Sequence, residues 1–255
     1  MDLHLDSLDE HFSLPKTRKV PFARPLHWLK MGWQDFKAHP RPSLIWGVIV
    51  ALVGWLSLGV AVGYPYLFTF CISSFLLLAP LIASGIYELT SKREQGQPTS
   101  FVQSVRDYVK NLSQIAFFGF VLGLIALSWE RISAILFALF YGGEAVSLQG
   151  FFSALTGEYA GFTIAWFVAG ALLATVVFAL TAVSIPMLAD REIDTVTAMM
   201  TSLRVVAENL PAMMLWAMLI VGLTAVGFAT ALFGLIVIFP VLGHATWVAY
   251  KDLVE

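Results

Sequence analysis

The sequence predicts an all-α membrane protein: six transmembrane helices in three helical hairpins, each preceded by an interfacial amphipathic helix. Three observations carry that reading. The first is composition. Of 255 residues, 58% are hydrophobic and 13% charged, with a mean hydropathy of +0.80, whereas a soluble domain is about a quarter charged. The second is run length, because the apolar residues gather in stretches near the ~20 needed to cross a bilayer. The third is the placement of positive charge. With both termini on the cytosolic side, Arg131 is the one residue of 15 Lys and Arg that falls away from the cytosolic segments and their edges. An odd number of spans loses that agreement.

Each element follows in order. Residues 1–24 are polar and contain proline, so they are expected to form a mobile cytosolic tail in which His4 and His11 are solvated. No apolar core occurs in this region, so no cleavable signal peptide is expected. Residues 25–255 are then a single membrane domain. Within 26–39, Leu26, Leu29, Trp33 and Phe36 recur at helical spacing with Lys30, Gln34 and Lys37 between them. That pattern predicts an interfacial helix anchored by Trp28 and Trp33. Pro40 and Pro42 break it before a first span over 43–62, and a Gly-Tyr-Pro-Tyr turn leads to a second over 67–88.

Beyond a polar loop, Ser100 and Gln103 fit a capping box that opens a short amphipathic helix through Asn111. The third span starts near Leu112. Trp129, Glu130 and Arg131 then interrupt the apolar run and leave two readings. Either the span ends there and 132–158 is an outer insertion, or one long helix continues to Tyr141. The fourth span covers 161–188, and Asp194 caps a third amphipathic helix over 195–208, with Met199, Met200, Leu203 and Val206 on one face. The stretch 210–250 is too long for one crossing, since ~40 helical residues reach about 60 Å against a core of about 30 Å. It divides into a hairpin, 211–228 and 231–250, turning near Gly227–Gly234.

The layout repeats. GWQDFKAHPRPSLIWG (32–47), SVRDYVKNLSQIAFFG (104–119) and SLRVVAENLPAMMLWA (202–217) each combine an amphipathic helix, a break and the start of a hairpin. Repeats over 26–89, 100–190 and 195–252 suggest a pseudo-threefold arrangement. Each hairpin returns through a proline, Pro80, Pro186 or Pro240, which is expected to kink its helix. The fourth residue after each proline is Ser84, Asp190 or His244. Equivalent depth in three repeats makes these a candidate polar or ligand site near the cytosolic mouth. Glu130 and Arg131 are a candidate buried charge pair, because charge within a bilayer is costly.

Other chemistry is expected to be absent. No nucleophile elbow accompanies Ser84, so no catalytic residue is assigned. There is no P-loop, dinucleotide fingerprint or HExxH. Cys71 is the one cysteine, no CxxCH occurs and no Cys/His group has zinc spacing, so no metal site is expected. His244 is the one histidine in a membrane-grade context, too few for a bis-His haem core, and no cofactor is predicted. Gly59-x3-Gly63 and Gly119-x3-Gly123 permit close helix contact.

Five segments, WLKMGWQDFKAHP, LLLAPLIASGIYE, SWERISAILFALF, SIPMLADREIDTVTAMMTS and FPVLGHATWVAYKDL, occur in an order that resembles the bacterial membrane family called domain of unknown function 2189. The resemblance covers 25–255 and implies an inner-membrane protein of proteobacterial type. Some members carry a cytochrome c oxidase label. The family's usual ending, GHATWHAYRDL, has a second histidine and an arginine where this chain has Val248 and Lys251, which removes a paired-histidine metal or haem site.

Together these features predict a non-catalytic accessory or assembly component of a larger membrane complex, respiratory if the family's label applies. The alternative is a small-solute or ion permease built on Ser84, Asp190 and His244. The partners expected are the lipid bilayer and a membrane protein complex, with no nucleic acid. The expected location is the bacterial inner membrane, with both termini cytoplasmic.

Overall fold

A computed structural model describes residues 14–64, 67–110, 112–141 and 160–255, which are almost wholly α-helical. In chain order the helices are α1 (Arg24–Ala38), α2 (Pro40–Gly63), α3 (Phe68–Glu94), α4 (Phe101–Lys110), α5 (Leu112–Tyr141), α6 (Ala160–Thr181), α7 (Ser184–Asp190), α8 (Thr195–Glu208), α9 (Leu210–Ala229) and α10 (Leu235–Leu253). Proline opens α1, α2 and α9, where its missing N–H costs nothing. Among the described residues five stretches are long and apolar enough to cross a membrane: Pro40–Gly63, Phe68–Glu94, Ile115–Phe140, Gly161–Asp190 and Leu210–Ala229. The 19-residue α10 is not one of them. Its terminal half carries His244, Lys251 and Asp252.

Neighbours in sequence pack pairwise, α2 on α3, α5 on α6 and α9 on α10. At the centre lies α10, which touches α1, α2, α3, α7 and α9. Two glycines let its backbone be approached so closely. A β-carbon on Gly32 of α1 would stand 2.7 Å from the Val241 carbonyl oxygen and 2.6 Å from the Ala245 nitrogen. One on Gly47 of α2 would stand 2.0 Å from the Ile236 carbonyl oxygen. That carbonyl is four residues before Pro240 and so loses its helical N–H donor. The Gly47 α-carbon fills the place instead, in the manner of a Cα–H···O contact.

The interfacial helices turn a different face inward from the one their hydrophobicity suggests. In α1 the buried residues are Pro25, Trp28, Gly32, Asp35 and Phe36, while Leu26 and Trp33 are exposed. Trp28 is therefore not an interface anchor: it is fully buried, edge-on to Trp216 with ring centroids 5.8 Å apart. In α8 the buried set is Thr195, Ala198, Thr201, Ser202 and Val205, while Met200 and Leu203 face outward. Lipid rewards outward apolar side chains, so small residues mark the protein-facing stripe.

Of the two readings of the third span, the long helix is observed. Residues 132–141 continue α5 without a break, so this part of the expected outer insertion is helix, and 142–158 lie outside the described residues. No glycine or proline interrupts 124–141. Trp129 and Ser133, one turn apart, both dock on α6: Trp129 lies 5.3 Å from the Trp166 ring, whose Nε1 donates to Ser133 Oγ at 3.1 Å. The fourth span, in contrast, bends at Ala182–Val183 into α7. The bend is closed by α8: Val183 N donates to Ser202 Oγ, which donates to the Ala179 carbonyl. Such partners satisfy backbone groups that lipid cannot.

Helix starts follow the expected chemistry. Gln103 N donates to Ser100 Oγ at 3.1 Å, and Thr197 N donates to Asp194 Oδ1 at 2.9 Å. The α9–α10 turn is less ordinary. Ala231 and Leu232, not a glycine, take φ of 51° and 70°. Leu232 is buried against Val50, Phe75 and Leu235, and Trp55 Nε1 donates to the Ala231 carbonyl at 2.8 Å. At the opposite end of α10 the chain ends meet. Thr17 and Val254 form an antiparallel bridge, Arg18 N donates to Leu253 O, and Glu255 N donates to Lys16 O. Of the expected tail, residues 16–20 are thus seated on the carboxyl-terminal end, while 1–13 lie outside the described residues.

Two predictions test this packing. Gly47→Ala forces α2 off the Ile236 carbonyl and is expected to cost about 1–3 kcal/mol, read by denaturant titration in detergent micelles. Gly59→Ala, with nothing within 4 Å of its added carbon, is expected to change stability by less than about 0.5 kcal/mol. Separately, hydrogen bonds from the Thr197 side chain and backbone hold the Asp194 carboxyl below the usual carboxylate range. A lowered folded value stabilises above the ordinary one and is lost as pH falls through it. Asp194→Ala should cost about 1 kcal/mol at neutral pH, and the two unfolding curves should converge in acid.

Candidate functional site

The three proline motifs border one space. Pro80 lines it from within α3, Thr181 and Ala182 from the bend before Pro186, and Phe239, Leu242 and Gly243 from the turn around Pro240. The result is a cavity of about 200 Å³ between α2, α3, α6, α9 and α10. Aromatic side chains form much of its wall: Phe75, Tyr87, Phe178, Trp216 and Phe239. No Asp, Glu, Lys, Arg or His lines it, and its polar groups are the hydroxyls of Tyr87, Thr181, Thr224 and Thr246. The Thr246 hydroxyl donates to the Leu242 carbonyl at 2.7 Å.

Ser84, Asp190 and His244 are not joined by a hydrogen bond or ion pair among the described residues. Each has its own partners. Ser84 Oγ is buried and donates to the Leu81 carbonyl at 2.7 Å. Asp190 Oδ2 accepts from Tyr250 Oη at 2.6 Å and Lys251 Nζ at 2.8 Å, while Arg191 Nε donates to Tyr250 Oη. This cluster lies at the end of α10, beside Asp252, which receives Arg24 through both nitrogens and Trp28 Nε1 at 2.7 Å.

His244 is buried with both ring nitrogens engaged, Nε2 with Ser43 Oγ at 2.9 Å and Nδ1 with Thr90 Oγ1 at 2.6 Å. Each hydroxyl also has a helix carbonyl in reach, His39 O at 3.0 Å for Ser43 and Ile86 O at 3.1 Å for Thr90. A neutral imidazole donates once and accepts once, so one hydroxyl must turn from its carbonyl to the ring. Both ring nitrogens of His244 are thus engaged within the protein.

Around this layer other polar groups pair between helices. Arg93 of α3 forms an ion pair with the buried Asp35 of α1, Lys92 lies 3.6 Å from Asp107 of α4, and Trp46 Nε1 donates to Ser104 Oγ at 3.2 Å. Glu130 and Arg131 stand apart from it on α5. Arg131 is exposed, and Glu130 Oε2 is buried with no hydrogen-bond partner among the described residues.

Sequence reasoning missed Ser43, Thr90, Tyr87 and Thr246. A signal existed for the first two, because a histidine in an apolar helix needs partners for both ring nitrogens, and hydroxyls at the ends of neighbouring spans are the available ones.

Comparison with known proteins fits this picture of the fold. No curated protein and no solved structure matches the chain. Residues 67–190 match the model of a family described as predicted integral membrane protein (DUF2189), the family that the five segments resemble, and the protein is a multi-pass integral membrane protein of unknown function.

Proposed function

We propose that the chain is a non-catalytic, six-span membrane protein that assembles with a partner in the plane of the bilayer. The observation that carries this reading is the internal use of the polar groups. Ser84, Asp190 and His244 each bond within the protein, and the cavity beside them carries no charged side chain. A route for a polar solute or ion requires polar groups turned toward the path. The surface left open is apolar. On α2, Leu56, Val60 and Val62 are exposed, and Gly59 and Gly63 have no neighbour within 4 Å of an added carbon. Glycines gain nothing from lipid but let another helix backbone come near.

The sixth span is α10, and the helices form three hairpins. Support comes from the way each interfacial helix seats: α1 on α9 and α10, α4 on α2 and α3, α8 on α6 and α7. Each therefore rests on the hairpin of the preceding repeat, closing a ring. The aligned positions Gly32, Ser104 and Ser202 are all buried, as are Trp46, Phe118 and Trp216. The lysines and arginines gathered around the carboxyl-terminal end of α10 favour a cytoplasmic orientation for that face, in a bacterial inner membrane.

The permease reading keeps one observation, the three proline-containing segments around a common cavity, since transporters place their sites at interrupted helices. One experiment separates the two. Tagged protein is purified from native membranes in mild detergent, alongside Gly59→Leu/Gly63→Leu and Ala79→Phe variants. The accessory reading expects a stoichiometric membrane partner that the double glycine variant loses and Ala79→Phe keeps. Homogeneous protein without a partner would sink it. Proteoliposome flux of a neutral solute such as glycerol, abolished by Ala79→Phe, would install the permease reading in its place.

A further inference from the structure

The cavity calls for an occupant of its own, whatever the protein assembles with. The space is open on one side, and apolar surface left unfilled there forfeits contacts with every lining atom. An apolar cavity of about 150 Å³ takes up a benzene ring, and this one is about 200 Å³. Its chemistry narrows the choice. With no charged residue in its wall, it selects against ions and carboxylates. Trp216, Phe239 and Phe178 supply ring faces and edges, and Thr181 and Thr224 supply hydroxyls at the α6 and α9 walls.

Access comes from the side. The polar layer of His244, Ser43 and Thr90 lies next to Gly243 and Thr246, between the cavity and the end of α10 where the chain termini meet. Helices α6 and α9 face the cavity but do not pack closely on each other. Leu76, on its wall, is 44% exposed. It sits eight residues into α3 from Phe68, within the apolar stretch. The opening therefore meets hydrocarbon instead of water.

We propose that the cavity is a binding site for a neutral amphiphile with a ring-sized head bearing a hydroxyl or carbonyl oxygen, admitted laterally from the bilayer. The ring fills the aromatic pocket, its oxygen meets the Thr181 or Thr224 hydroxyl, and any tail lies out among the lipids.

A photoreactive trifluoromethyl-diazirinyl benzyl alcohol tests this on the full chain in phosphatidylcholine nanodiscs, with labelled peptides mapped by mass spectrometry. Labelling should saturate, concentrate in 76–83 and 220–224, and fall with excess benzyl alcohol. The matching diazirinyl benzoate should not label these peptides. Ala79→Phe should abolish the saturable component. Thr224→Val, which keeps the side-chain shape should the first variant misfold, should weaken half-saturation about fivefold, the worth of one hydrogen bond. Labelling that never saturates and spreads over lipid-facing residues such as Leu139 and Leu172 would overturn the proposal. So would equal labelling by the benzoate, or wild-type labelling in both variants.

Discussion

Close seating of α1 and α2 on the backbone of α10 is the constraint on which the other contacts depend. Gly32 and Gly47 bring two helices against Val241, Ala245 and the Ile236 carbonyl. At that separation Ser43 reaches His244, Trp28 reaches Asp252, and Arg24 closes over the same carboxylate. Apolar burial cannot supply this organisation, because lipid tails solvate leucine as well as a protein core does. Shape and hydrogen bonding decide the arrangement, and both demand short distances. The proline at 240 contributes by leaving a carbonyl bare where Gly47 can meet it.

The same physics explains which features could be read from the sequence. Five of the six expected spans, the breaks and the caps were legible, since they depend on local composition, on proline and on short side chains such as Ser100 and Asp194. The inward faces were not. An apolar stripe such as Leu26 and Trp33, or Met200 and Leu203, signals burial in water but contact with lipid here. The buried stripe of α8 is mostly alanine, serine and threonine, and that of α1 mixes Gly32 and Asp35 with Trp28 and Phe36, so hydropathy carries little contrast. Trp28 shows the ambiguity most clearly, because tryptophan suits both an interface and a core, and its bond to Asp252 depends on a residue 224 positions away.

Likewise the matching spacing of Ser84, Asp190 and His244 was visible, while their separate fates depend on their neighbours. Lys251 and Tyr250 claim Asp190, and two hydroxyls claim His244. What the three motifs do share is a border on one cavity, although only the stretch before Pro186 is broken, and α3 and α10 run unbroken through their prolines. Glu130 follows no such pattern, and its unpartnered oxygen has no structural explanation among the described residues.

The central place of α10 also bears on how the molecule is built. This helix follows the other described helices in the chain, yet it supplies the surface against which α1 and α2 are fitted. Until it arrives, Gly32 and Gly47 face lipid and Trp28 lacks its acceptor. With a histidine, a lysine and an aspartate in its terminal half, α10 partitions into hydrocarbon less readily than the helices before it. Its entry is therefore coupled to the groove already waiting, where Ser43, Thr90 and Arg24 receive the polar groups. Seating α10 in that groove and completing the tertiary fold are thus one step.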